Sequence, residues 1–152
     1  MRNNKFENKV EGLIKSFFNI TPLPNESVRS MEVLKQATDR PILFTDAGSP
    51  YPTPTGQQKR TEFVLYCPDY GIDWRIECKS RKTISLIGEI TIELNHVADI
   101  PEKRYCLVLS KVLDHEYVLN KIQQEIDLRQ LNGRVWYGTK KQLKKLIKQQ
   151  MK

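Results

Sequence analysis

The stretch that decides the fold of this chain is Thr61-Glu-Phe-Val-Leu-Tyr-Cys-Pro-Asp-Tyr-Gly-Ile-Asp-Trp-Arg-Ile-Glu-Cys-Lys79. Its two halves, residues 61–67 and 72–79, are rich in β-branched and aromatic side chains, which favour strands. The residues between them, Pro68 to Gly71, are typical of a turn. The stretch therefore predicts an antiparallel hairpin.

On the amino-terminal side of the hairpin, apolar residues at helical spacing predict a helix over roughly residues 4–19. A weaker helical pattern runs from Val28 to Lys35, with Ser27 as its N-cap, and should end before Pro41. Residues 45–60 contain three prolines and two glycines, and this composition predicts a loop.

On the carboxyl-terminal side, helices and strands alternate. Leu86, Ile90, Leu94 and Val97 predict a helix, although the alternation within residues 90–94 also suits a strand. We then predict a strand at 104–110, a helix at 115–130, a strand at 134–137 and a helix from Thr139 onward. The strands of the hairpin after the first helices, then the alternation, indicate an α/β domain with a mixed central sheet flanked by helices.

The composition fits one domain. The chain has 152 residues, 39% of them hydrophobic, and a formal net charge of +7. It contains no apolar run near the ~20 residues of a membrane span, no signal-peptide pattern, and three cysteines without a close pair. We expect an intracellular protein of a reducing compartment, with neither a disulfide framework nor a zinc site and with no membrane partner.

The hairpin also brings charged residues together. If Pro68–Gly71 is the loop, Cys67 faces Ile72, and the same register places Glu62 opposite Glu77. Like charges at facing positions destabilise a sheet, so something positive is expected between them. Lys79 shares the face of Glu77, whereas Ile76 and Cys78 should point into the core.

Two carboxylates and a lysine suit phosphodiester hydrolysis. Mg²⁺ commonly binds through one or two carboxylates plus phosphate oxygens, and an ammonium group can orient the nucleophile or stabilise the transition state. Glu7 lies at the edge of the apolar stripe of the first helix, so we prefer it to Glu11 as a third acid. A surface ion-pair ladder is the structural alternative for the hairpin residues. Glu89 and Glu93 are assigned to an exposed helix face.

These residues resemble the PD-(D/E)XK nuclease superfamily. The resemblance covers roughly residues 5–137, and Thr55-Gly-Gln-Gln-Lys-Arg-Thr-Glu-Phe-Val-Leu65 followed by Arg75-Ile-Glu-Cys-Lys79 is particularly similar to small phage and prophage members. The resemblance implies a restriction-endonuclease-like core, DNA as the partner and Mg²⁺ or Mn²⁺ as the cofactor. It further implies the cytoplasm of a bacterial or phage-infected cell as the location.

The resemblance also assigns roles to residues of the site. Glu77 and Lys79 take the acidic and lysine positions of the motif, and Glu7 takes the helix-one glutamate. Glu62 stands where the family usually has aspartate; Asp73 is the substitute if the register differs. Asp69 matches the name of the motif, yet it lies at the hairpin tip, too far from Glu77 to share a metal.

The positive charge is concentrated at the end of the sequence. Residues 139–152 carry six lysines and no acid, which leaves the rest of the chain at +1. The apolar residues among them predict a basic amphipathic helix that docks on the domain and can contact a polyanion. We expect basic side chains near the site and in this helix to contact DNA: Lys59, Arg60, Arg81, Lys82, Lys140, Lys141, Lys144 and Lys145.

The expected function is that of a metal-dependent DNA endonuclease, with Glu62 and Glu77 as metal ligands and Lys79 and Glu7 as further catalytic residues. One alternative is a catalytically silent nuclease-like module that binds DNA or protein. Another is a structure-selective junction resolvase, which would form a two-fold homodimer with paired sites.

Overall fold

A computed structural model of the chain describes residues 5–52, 58–99 and 104–152. The five helices of these segments are α1 Lys5–Phe17, α2 Val28–Gln36, α3 Leu86–Asp99, α4 Glu116–Leu128 and α5 Lys140–Gln150. The strands are β1 Leu23–Pro24, β2 Ile42–Pro52, β3 Gln58–Cys67, β4 Ile72–Lys79, β5 Arg104–Leu109 and β6 Val135–Thr139.

The strands form one mixed sheet in the order β1-β2-β3-β4-β5-β6. Strand β3 is antiparallel to both of its neighbours, β2 and β4. The pairs β1–β2, β4–β5 and β5–β6 are parallel. The α/β class with a mixed sheet flanked by helices is therefore confirmed, and the arrangement is consistent with a restriction-endonuclease-like core.

The predicted hairpin is confirmed. A short 3₁₀ turn over Pro68–Tyr70 joins β3 to β4, and Gly71 follows it at φ 67°, a left-handed conformation that glycine adopts without strain. Cys67 pairs with Ile72, as the length of the loop predicts. The sequence therefore predicts the register of the hairpin next to the turn correctly.

The loop prediction for residues 45–60 is wrong for most of its length. Residues 42–52 form β2, and β3 begins at Gln58. The prolines that argued against a strand lie beyond Gly48, where the pairing of β2 with β3 shifts register, and proline is tolerated at such irregularities. Residues 53–57 lie outside the described segments.

Gly48 has a packing role in β2. A Cβ atom there would lie 2.8 Å from the backbone nitrogen of Val28. The Gly48 N–H donates to the Glu26 carbonyl oxygen at 2.7 Å. The strand therefore passes directly against the start of α2, which only a residue without a side chain allows.

Each face of the sheet carries an apolar layer, since Cys106 and Val108 of β5 pack on one side and Tyr105 and Leu107 on the other. The first side is covered by α1 and α5, and the second by α3 and α4, with α2 against β2. Ile76 and Cys78 lie on the α1 side, as predicted. Consequently Glu77 and Lys79 face the α3 side.

The basic carboxyl-terminal helix docks on the domain as expected. Leu143 and Ile147 of α5 are fully buried, and Thr139 caps the helix with a capping box completed by Gln142. Across residues 5–52, 58–99 and 104–152, no helix has the length and apolar character needed to cross a membrane.

Candidate active site

The candidate site begins with two neighbouring glutamates of the hairpin strands. The ladder between β3 and β4 runs from Cys67 with Ile72 to Phe63 with Ile76, in the register that the turn length predicts. Glu62 and Glu77 come next on the two strands, and their side chains hydrogen-bond to each other. Glu77 is 2% exposed, whereas Glu62 keeps an edge open to solvent. The two carboxyl groups are therefore adjacent, while their directly facing position in the sheet stays a prediction.

The two carboxyl groups repel each other when both are ionised. Burial raises the pKa of Glu62 well above its usual range, and the adjacent Glu77, which hydrogen-bonds to it, raises that pKa further. The Cys78 backbone N–H donates to Glu62 Oε2 at 3.2 Å, and this hydrogen bond lowers the pKa of Glu62 by less than burial and Glu77 raise it. Burial and the neighbouring acid therefore favour the protonated form of Glu62.

Glu7 is the third acid near this pair. It lies in the first turn of α1, and its charge raises the pKa of Glu62 as well. Glu11, one turn later, forms an ion pair with Lys15 at 3.9 Å. The geometry therefore favours Glu7 over Glu11 as the helix-one acid.

Lys79 lies on the same face as Glu77 and is held by α3. Its ammonium group contacts Glu93 Oε1 at 3.2 Å, and the Tyr105 hydroxyl donates to Glu93 Oε2 at 2.5 Å. Glu93 is 8% exposed and Tyr105 is 2% exposed. The ion pair is thus largely removed from solvent, and the long lysine side chain is fixed at the end of β4.

The assignment of Glu93 to an exposed helix face is wrong, because the residue is buried. Glu89 does lie at the surface, but Glu93 is buried between the apolar positions Ile90 and Val97. Helical spacing from these neighbours would have placed it on the core side. An acid at a core position is the signal that could have identified it.

The donor set fits a hard divalent cation. Two carboxylates are the usual number of protein ligands for Mg²⁺, which otherwise keeps water or phosphate oxygens. In the described part of the chain, no group of three or more His, Cys, Asp or Glu side chains is arranged to hold a metal. A cation at Glu62 and Glu77 would therefore use carboxylates from these two residues together with water or phosphate oxygens.

The acids considered as substitutes lie elsewhere. Asp73 pairs with Tyr66 across the hairpin and contacts Lys35 at 2.9 Å. Asp69 lies in the turn at the hairpin tip. Neither belongs to the group formed by Glu62, Glu77 and Lys79.

A cleft of about 1300 Å³ opens beside Lys79, at the carboxyl ends of the parallel strands. Segments distant in sequence line it: the first turns of α1, the end of β4 with the residues after it, the residues after β5, and the start of α5. Its described lining includes seven basic side chains and two acids, Glu89 and Asp114. The basic ones are Lys5, Lys9, Lys79, Arg81, Lys111, Lys140 and Lys141.

Some of the basic residues expected to contact DNA line this cleft, and others lie outside it. Arg81, Lys140 and Lys141 line it, whereas Lys82, Lys144 and Lys145 are exposed and are not part of its lining. Arg60 donates to the backbone carbonyl oxygen of Asp46 at 2.5 Å. The side chain of Lys59 lies outside the described residues.

Sequence reasoning did not assign Lys5, Lys9 and Lys111 to the site. Only the fold shows that they share a cleft, because α1 and α5 begin, and β5 ends, at the same edge of the sheet. Comparison with protein-family models, with curated proteins and with solved structures finds nothing that matches this chain.

Proposed function

We propose that this chain is a metal-dependent DNA endonuclease of the PD-(D/E)XK type, using Mg²⁺ or Mn²⁺. The observation that carries the proposal is the adjacency of the Glu62 and Glu77 carboxyl groups, with Lys79 two residues beyond Glu77 on β4. Two largely buried acids beside each other are costly in a structural sheet. They are useful where a cation binds.

Each residue of the site has a role in this proposal. Glu62 and Glu77 would hold the cation, whose chemistry is to polarise the scissile phosphate and lower the pKa of a bound water. Glu7 adds negative charge beside them, which favours cation binding. Lys79 would orient the nucleophile or stabilise the charge that develops on the phosphate.

The ion pair of Lys79 with Glu93 supports the role of Lys79. A flexible lysine contributes to catalysis only when its ammonium group is held in place, and the buried carboxylate of Glu93 does this. The basic cleft beside Lys79 supports a polyanionic substrate. Phosphodiester hydrolysis uses both features.

A cleavage assay tests the proposal. Purified protein with Mg²⁺ or Mn²⁺ is incubated with single-stranded, duplex and branched DNA and with RNA, beside Glu77→Gln, Lys79→Ala and wild type in EDTA. We expect the wild type to cut DNA, and each variant to lose at least about 10²-fold in rate, as when one transition-state donor is removed. Equal activity of Glu77→Gln and wild type would contradict the proposal.

A catalytically silent binding module is the second candidate. It is favoured by the small number of candidate metal ligands, because the described residues contain no group of three or more ligating side chains. Calorimetric titration with Mg²⁺ separates the two functions. A nuclease should bind the ion in the wild type and lose binding in Glu62→Gln, whereas a silent module should bind DNA with or without the ion.

A further inference from the structure

The cleft beside Lys79 combines the two features of a surface that binds single-stranded nucleic acid. Its lining is strongly positive, and α1 adds an aromatic side chain, Phe6, between Lys5 and Lys9. Proteins that bind single strands combine a basic groove along the backbone with aromatic rings on which bases stack. The sequence Lys5-Phe6-Glu-Asn-Lys9 places these groups on the cleft wall.

The cleft is a recess of about 1300 Å³ between α1 and the starts of α3 and α5. This volume exceeds the ~300–1,000 Å³ of small-molecule pockets, so the recess has room for more than a small molecule. Phe6 both packs against the apolar core and lines the cleft. An aromatic side chain in a basic groove favours a single strand over a duplex, because unpaired bases are free to stack on it.

From these features we propose that the cleft binds a single-stranded segment of DNA, with Lys140, Lys141 and Arg81 on its phosphates and Phe6 against a base. The inference rests on the proposed function for its identification of DNA, and it adds strandedness and the path of the strand. It also confines the predicted DNA contact of α5 to the start of that helix, where the sequence had suggested its whole basic surface. Only the first turn of α5 lines the cleft.

A matched pair of double variants tests the path. Lys140→Gln with Lys141→Gln removes two charges from the cleft, and Lys144→Gln with Lys145→Gln removes two charges from the next turn of the same helix. Binding of a labelled single-stranded oligonucleotide of about 16 nucleotides, the upper end of common site sizes, is measured by anisotropy over a range of salt in EDTA. EDTA prevents cleavage, so the result is independent of whether the protein is a nuclease.

We expect the cleft variant to lower the slope of log affinity against log salt by up to about 1.4, since each contact to a single strand contributes about 0.7. The variant of the next turn should change the slope by less than half as much. Equal losses in the two variants would overturn the assignment of the cleft. Circular dichroism and thermal melting show that both variants remain folded.

Phe6→Leu and a change of ligand test the remaining parts. Phe6→Leu should weaken binding at least about fivefold without changing the salt slope, because stacking involves no counterion release. A duplex of the same sequence should bind more weakly than the single strand; tighter binding of the duplex would overturn the strandedness. If an RNA strand of the same sequence bound and the DNA strand did not, the choice of DNA would be overturned.

Discussion

Strand β4 carries charged side chains at alternate positions on one face, and its two halves differ in what faces them. Near the turn, Asp73 contacts Lys35 at 2.9 Å, and Arg75 donates to the Gly48 carbonyl oxygen at 3.0 Å. Toward the other end, Glu77 lies beside a second acid, Glu62, whose pKa it raises. The charges of the first half thus lie next to an opposite charge or a hydrogen-bond acceptor, whereas Glu77 lies next to a group of its own charge type.

This difference separates structure from function on a single strand. Asp73 and Glu77 are acids on the same face, four residues apart, and on the basis of sequence Asp73 was the substitute for Glu62 as the second acid beside Glu77. An acid neutralised by a lysine stabilises the fold and needs no further partner. An acid held beside another acid lowers stability when both are ionised, and under the proposed function a bound cation would compensate for this repulsion.

The largest effect is expected at the support of Lys79. Glu93→Gln keeps the shape and the hydrogen bond with Tyr105 but removes the carboxylate that fixes the ammonium group. We expect the kcat of cleavage to fall about 10- to 100-fold, as when residues that orient a ligand are changed, with little change in KM. Steady-state kinetics with the preferred DNA substrate provides the measurement.

Glu93→Asp and Asp99→Asn are the controls for this variant. Glu93→Asp retains the charge and should recover part of the rate, whereas Asp99→Asn removes an exposed acid from the end of the same helix and should have little effect. Loss of stability alone would lower the rate of Glu93→Asp and Glu93→Gln equally. That result would assign Glu93 to the fold rather than to the positioning of Lys79.

The second effect concerns the dependence of stability on pH. Because folding raises the pKa of Glu62, the folded state favours its protonated form. Its contribution to stability is therefore greatest below the pKa of the unfolded chain, about 4.3, and declines as the pH rises above it. In EDTA, the wild type should lose more stability between pH 5 and pH 8 than Glu62→Gln does.

Chemical denaturation at the two pH values measures this difference. We expect it to exceed about 1 kcal/mol, close to the equivalent of one pKa unit. Saturating Mg²⁺ should reduce it, because a cation favours the ionised form of Glu62. Identical pH profiles of the wild type and Glu62→Gln would show that folding does not raise the pKa of Glu62.

The hairpin and the adjacency of its two acids could be predicted because they depend on local information. A loop of four residues fixes the register from Cys67 with Ile72 to Phe63 with Ile76, and counting onward brings Glu62 next to Glu77. Strand β2 was missed because its prolines argued against a strand. Their position beyond the register shift was not visible in the sequence.

The cleft could not be predicted for a different reason. Lys5, Lys111 and Lys140 are separated by more than a hundred residues from first to last, and only the order of the strands brings them to one edge. Net charge located the positive surface in the last helix. The structure shows that most lysines of that helix face away from the cleft.

The smallest effect is expected at Asp73, and it tests the comparison most directly. Asp73→Asn removes the charge paired with Lys35, whose ammonium group also contacts Glu32 at 3.2 Å. Because such partly exposed pairs contribute about 0.2–1 kcal/mol, we expect a loss in this range and an unchanged rate of DNA cleavage. Denaturation and the cleavage assay measure the two quantities on the same preparation. If Asp73→Asn abolished cleavage while Glu62→Gln did not, the second acid of the site would be Asp73, and the two halves of β4 would exchange the roles given to them here.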